Sequence, residues 1–128
     1  MKVLILGGVA AGTKTAAKLK RLRPDTQVTL LSKSGDISYA GCGLPYYVGG
    51  AIEEKSELIV NTPERYAALT GVEVLTGREA VKLDGADKTV FAKNLRTGGE
   101  ESFSYDKLVI AVGASPVVPS IEGAGLRG

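Results

Sequence analysis

The sequence predicts an α/β domain, with a central parallel sheet, a crossing helix and a small antiparallel β-meander. Three stretches predict it. Residues 2–7, "KVLILG", form a continuous apolar run that ends in glycine, the pattern of a strand buried on both faces. In "TKTAAKLKRLR", Ala16, Ala17, Leu19 and Leu22 fall at roughly helical spacing, and Pro24 ends the helix before a second apolar run, "QVTLL". Far along the chain, "KLVIAVG" (107–113) repeats the buried-strand pattern and again ends in glycine. Strand, helix and strand in this order place parallel strands side by side with the helix crossing over.

The first turn, "GGVAAG", puts Gly7, Val9 and Gly12 at the positions of the Gly-x-Gly-x-x-Gly fingerprint of a Rossmann-like unit. Gly7 suits the tight turn, and Gly12 lets the helix pack close to the strand. Val9 replaces the glycine that allows the closest backbone approach to a pyrophosphate. The helix N-terminus, with Ala10 and Ala11, still offers free N–H groups to a phosphate. An acid normally ends the second strand and binds a ribose hydroxyl, but this chain has Ser32 and then Lys33. Serine accepts a hydrogen bond without charge assistance. Nucleotide binding is the expectation at this turn; the alternative is an α/β unit whose glycines serve packing alone.

Beyond the second strand lies "ISYAGCGLPYYVGG" (37–50), and then "TPERYAAL" predicts a short helix with Thr62 as N-cap and Pro63 in its first turn. "VEVL" predicts a strand. "REAVKLDGADKTVFAKN" predicts two strands around the Asp84–Asp87 turn, and "TGGEESFSY" continues the meander past Gly98 and Gly99. "ASPVVPSIEG" is a proline-broken loop. Both glycine-ending parallel strands should finish at one sheet edge, where ligands of open α/β sheets bind. An extended dinucleotide such as FAD would fit there.

Composition narrows the classes. With 44% hydrophobic and 23% charged residues, the chain reads as globular. A net charge of +2 is too small to argue for nucleic acid. One cysteine and no histidine exclude an internal disulfide and a multi-cysteine zinc site, so no metal is expected. They also suggest a reducing, cytoplasmic setting. The start "MKVLILGGVAAG" imitates a signal peptide, but its short apolar run is better explained by the β-α-β unit. No stretch is long and apolar enough to span a membrane. Lys14, Lys18 and Arg21 share one helical face. That face is either solvated or a seat for a phosphate-rich substrate, and the second reading requires the helix to meet residues 38–42 in space.

A free cysteine is more often packing than chemistry. At Cys42, however, Gly41 and Gly43 minimise shielding, and Leu44-Pro45 opens a short helix whose dipole would favour thiolate. With no second cysteine, a redox cycle would run through a mixed disulfide, a sulfenic acid or a persulfide. Tyr46 and Tyr47 could line a thiol pocket or belong to the core.

"LILGGVAAG", "SYAGCGLPYYVGG", "NTPERYA" and "SYDKLVIAVGASPVVPSIEG" together resemble the flavin-dependent pyridine nucleotide-disulfide oxidoreductases over essentially the whole chain. The likeness is to their single-cysteine branch, which includes coenzyme A disulfide reductase, NADH oxidase, NADH peroxidase and polysulfide reductases. This resemblance implies FAD held at Gly7, Val9, Ala10, Ala11, Gly12, Ser32, Lys33, Val81, Ala111, Val112 and Gly113. It implies Cys42 as the redox thiol, and substrate contacts at Lys14, Lys18, Arg21, Ser38 and Gly41. NAD(P)H would be the reductant, and a disulfide (coenzyme A disulfide among them), a polysulfide, a peroxide or oxygen the acceptor. The chain departs from the family where Ser32 replaces Glu, Gly41 replaces Asn and Val112 replaces Thr. Family members are several times longer, so residues 1–128 are expected to be one FAD-binding domain without the NAD(P)H and dimerisation domains. Homodimerisation or other self-association is the expected assembly. The alternative function is a non-catalytic nucleotide-binding or interaction module.

Overall fold

The computed structural model describes residues 1–126. The chain runs β1 (Lys2–Leu6), α1 (Ala10–Leu22), β2 (Gln27–Ser32) and β3 (Ile37–Tyr39). A 3₁₀ turn (Gly41–Gly43), α2 (Leu44–Val48), a second 3₁₀ turn (Lys55–Leu58), β4 (Ile59–Asn61) and α3 (Pro63–Thr70) follow. The rest is strand: β5 (Glu73–Thr76), β6 (Arg78–Asp84), β7 (Thr89–Asn94), β8 (Glu100–Ser104) and β9 (Lys107–Ile110). The fold is the α/β arrangement expected: a four-stranded sheet in the order β5-β2-β1-β9, all neighbours parallel, and an antiparallel β6-β7-β8 meander.

The two faces of the parallel sheet explain why β1 and β2 are largely apolar. Val3 and Ile5 of β1, with Val28 and Leu30 of β2, pack against Ala16 of α1 and Tyr66 of α3. The alternate residues Leu4, Leu6 and Leu31 turn the other way, against Val90 and Ala92 of the meander. Successive side chains of a strand point to opposite faces, so a strand covered on both sides reads as a near-continuous apolar run. Helices lie on one side and the meander on the other.

Local chemistry sets the element ends. Thr62 caps α3, its Oγ1 accepting from the Arg65 N–H at 3.2 Å, and Gly71 closes the helix at φ 69°. In the β6–β7 turn, Asp84 Oδ1 accepts from the N–H groups of Ala86 (3.0 Å) and Asp87 (3.1 Å). Asn94 Oδ1 does the same for Arg96 and Thr97 after β7.

Two features differ from the sequence expectation. A short antiparallel β3–β4 pair flanks the cysteine segment, which no periodicity announces because each strand has only 3 residues. β9 is not buried: it is an edge strand, with Ile110 61% exposed. It is tied to β1 by the Ala111 N–H donating to the Leu6 carbonyl at 2.8 Å. At its other end the Lys2 N–H donates to Asp106 Oδ2 at 2.6 Å and holds that carboxyl below the usual range.

A polar clamp fastens the meander beneath the sheet's carboxyl edge. Arg78 donates from Nε and Nη2 to the two Glu101 oxygens (3.2 and 3.3 Å) and from Nη1 to the Thr76 carbonyl (2.9 Å). Asn94 Nδ2 adds a 2.7 Å bond to Glu101 Oε1. Donation by Arg78, and next by Asn94, holds the Glu101 carboxyl below its ordinary pKa. A lowered folded pKa adds stability that is complete above the unfolded value, about 4.3, and is lost as pH falls through the folded value. Thermal melts of Glu101→Gln should therefore fall below wild type at pH 7, with the gap closing below about pH 4. A gap independent of pH would show that the charge of Glu101 does not matter.

Candidate functional site

The site begins at the end of β1, where backbone meets backbone. Gly7 turns the chain at φ 112°, and a Cβ there would collide with the carbonyl oxygen of Ala111. A Cβ on Gly12 would collide with the carbonyl of Gly7. Gly7 is thus demanded by conformation and by contact, Gly12 by contact alone. Gly8, which the fingerprint spacing passes over, is just as confined. Its Cβ would stand 2.8 Å from Ile37 Cγ2 and 2.9 Å from Ser32 Cβ. Thr13 Oγ1 donates to the Val9 carbonyl at 2.5 Å, while α1 has neither a side-chain N-cap nor an acid in its first turn. The N–H groups of Ala10, Ala11 and Gly12 point from that uncapped end, a favourable place for an anion.

A cleft of about 570 Å³ runs across the carboxyl ends of β1, β2 and β9. Gly7, Val9, Ser32, Lys33, Ala111, Val112 and Gly113 all line it. Ala10, Ala11 and Gly12 follow as the first turn of α1. Val81 does not line the cleft; it is 56% exposed and sits at a bulge between the paired residues Ala80 and Lys82. Its neighbours Arg78, Glu79 and Ala80 are the lining residues of β6, and sequence reading missed them. No local pattern marks them, because they reach the cleft only after β6 folds back over β2. Lys33 pairs there with Glu79, Nζ to Oε1 at 2.7 Å.

A second, largely apolar cleft of about 670 Å³ holds Lys14, Ser38, Gly41 and Cys42, together with Val9 and Tyr66. The helix face and the cysteine segment do converge, but only through Lys14. Lys18 and Arg21 continue the same helix face as exposed residues and do not line the cleft. Ser38 adopts a left-handed φ of 54°, and its N–H donates to the Gly8 carbonyl at 2.8 Å. The Ala40 N–H donates to Leu58 O at 2.7 Å, which fixes the chain just before the thiol. Tyr66 is buried, and its hydroxyl donates to the Thr13 carbonyl. Burial pushes the Tyr66 pKa up, outweighing a hydrogen bond from the Ala17 backbone, so the donor stays protonated.

Cys42 is free and exposed, in the middle of the 3₁₀ turn that leads into α2. Its flanking glycines differ in purpose. Around a Cβ on Gly41 lies open space, whereas a Cβ on Gly43 would stand 2.6 Å from Leu58 Cδ2. Gly43 is therefore a packing glycine, whereas nothing in the fold confines Gly41. Tyr46 is exposed, and neither it nor Tyr47 lines the cleft. Among the described residues, no group of His, Cys, Asp or Glu is arranged for a metal ion, and no helix is long and apolar enough to cross a membrane.

Residues 1–128 match the family model "Pyridine nucleotide-disulphide oxidoreductase", and the chain belongs to that family. It is 38% identical to an NADH oxidase of Enterococcus faecalis over 96% of this chain and 27% of that protein. It is 34% identical to a coenzyme A disulfide reductase of Staphylococcus haemolyticus over 88% of this chain and 26% of that protein. Among solved structures, an NAD-dependent persulfide reductase from A. fulgidus superposes with a TM-score of 0.90 at 39% identity, covering 98% of this chain and 23% of that one. The chain thus spans about a quarter of the length of these relatives.

The glycines give a paired expectation. Gly12→Ala should destabilise the fold by about 1–3 kcal/mol or more, as overpacking does. Gly41→Ala should leave the melting temperature within error but slow the reaction of Cys42 with a bulky aromatic disulfide reagent. Equal thiol reactivity in the Gly41 variant would show that this side of the sulfur is not its route of access.

Proposed function

We propose that the chain is the FAD-binding segment of a flavin-dependent NAD(P)H oxidoreductase in which Cys42 is the redox-active thiol. The observation that carries this is a shared wall: Val9 lines both the cleft at the strand ends and the cleft that holds Cys42. A dinucleotide laid across the glycine turn would end beside the sulfur. The residues present suit such a ligand. Gly7 and Gly12 bring backbone close to the turn, the uncapped α1 N-terminus favours a pyrophosphate, and the strand ends form an elongated trough. Gly7, Val9, Ala10, Ala11, Gly12, Ser32, Lys33, Ala111, Val112 and Gly113 would hold the FAD. When bound, it supplies two-electron exchange between a nicotinamide hydride and sulfur.

The chain's own part is thiol chemistry. A Cys42 thiolate attacks one sulfur of a disulfide or polysulfide, the S–S bond breaks, and one half leaves as thiolate. The other half stays bonded to Sγ, and two electrons are then needed to release it and restore the thiolate. With a peroxide, the thiolate attacks one oxygen, the O–O bond breaks and hydroxide or an alkoxide leaves; the sulfenic acid that remains again needs two electrons to return to thiolate. Lys14 puts a positive charge on the cleft wall and would favour an anionic partner such as a phosphate-bearing thiol. Ser38 and Gly41 shape the approach to the sulfur. A coenzyme A disulfide satisfies these features, and the names of relatives point the same way.

Titration of the chain with FAD, followed by flavin fluorescence, should show saturable binding. Cys42→Ser should bind FAD equally and, in the whole protein, lose NAD(P)H-dependent disulfide or polysulfide reduction. Absence of FAD binding would overturn the flavin assignment, and undiminished turnover would remove Cys42 from the chemistry.

A further inference from the structure

The strand-end cleft has an unusual corner. β2 ends in Ser32, 4% exposed, where nucleotide folds of this class place an acid for the ribose hydroxyls. A neutral hydroxyl there leaves the sugar without a charged acceptor. The structure brings one from elsewhere. Ser32 is the parallel partner of Thr76, the last residue of β5. The next residue, Gly77, takes φ 67° and reverses the chain into β6, and its N–H donates to the Ser34 carbonyl at 3.3 Å. Glu79, three positions beyond Thr76, is thereby carried over Ser32 and Lys33 as a lining residue of the same cleft.

We propose that Glu79 is the sugar-binding carboxylate of this chain, accepting the hydroxyls of the adenosine ribose in place of an acid at position 32. Its carboxylate is held by one oxygen: Lys33 Nζ donates to Oε1 at 2.7 Å. Among the described residues, Oε2 takes part in no hydrogen bond, so it is open to a hydroxyl donor. The other charged groups of the corner are already committed. Arg78 is spent on Glu101 and on the Thr76 carbonyl, and as a donor only it offers a hydroxyl proton no acceptor. Ser32 makes no side-chain hydrogen bond among the described residues, and its oxygen is at most a neutral second acceptor. A charged acceptor binds a hydroxyl roughly twice as strongly as a neutral one.

The proposal rests on the assignment of the cleft to FAD, and the experiment separates the two. Wild type, Glu79→Gln, Ser32→Ala and the double variant Ser32→Glu/Glu79→Gln are titrated with FAD, with ADP and with 2′,3′-dideoxy-ADP, which lacks both ribose hydroxyls. Circular dichroism and melting temperature serve as fold controls; Glu79 is in an exposed ion pair, so its loss should barely move them. Glu79→Gln should weaken FAD binding roughly tenfold, the effect of losing one charge-assisted hydrogen bond. It should also erase the preference for ADP over the dideoxy nucleotide. Adding Ser32→Glu should restore both. Wild-type affinity and preference in Glu79→Gln would overturn the proposal and leave the flavin assignment standing. So would a collapse seen in Ser32→Ala alone. A wild-type chain that binds none of the three ligands would overturn the flavin assignment itself, and this inference with it.

Discussion

The close approach of backbone to backbone at the end of β1 governs the rest of this molecule. Gly7 lies against the carbonyl of Ala111, and Gly12 lies against the carbonyl of Gly7. Side chains at either position would force apart the strand ends or lift α1 off the sheet. Because they are absent, α1 starts directly over the carboxyl edge, and Ala16 can pack between β1 and β2 as part of the core. The same turn orients both clefts. Gly8 carries its carbonyl to the N–H of Ser38, which fixes the strand leading to Cys42, and its bare Cα leaves room for Ser32. Disturbing the turn would disturb the strand-end cleft and the cleft of Cys42 together.

What the sequence disclosed is what short-range chemistry encodes. β1, α1, β2, the Thr62 cap and the meander were all legible because each has its own signal: an apolar run, a helical spacing, a capping oxygen, an Asp or Asn turn. The glycine fingerprint with Ser32 and Lys33 named most of one cleft's β1 and β2 walls for the same reason. Other features depend on contacts between distant segments. The β3–β4 pair joins Ile37 to Asn61 and Tyr39 to Ile59 in strands too short to show a period. β9 reads as buried by composition, yet sheet order makes it an edge. Glu79 and Arg78 looked like ordinary strand charges, and only the reversal at Gly77 brings them over β2.

The basic face of α1 shows the same division within one element. Helical spacing correctly put Lys14, Lys18 and Arg21 on one side. It could not say how far along that side the cysteine segment reaches. The β3 strand meets the helix near its N-terminus, so Lys14 joins the cleft wall while Lys18 and Arg21 remain outside. Of the three basic residues, Lys14 alone shares a cleft with Cys42.

The cysteine segment is held on both sides of Cys42 by contacts with distant parts of the chain. Before Cys42, hydrogen bonds from Ser38 to Gly8 and from Ala40 to Leu58 hold the chain; after it, Gly43 is pressed against Leu58. A Cβ on Gly41, by contrast, would meet open space. Cys42 itself is free and exposed, which sets it apart from the free cysteines that serve as core packing. The two glycines that flank the thiol thus differ in kind: packing requires Gly43, and no contact requires Gly41.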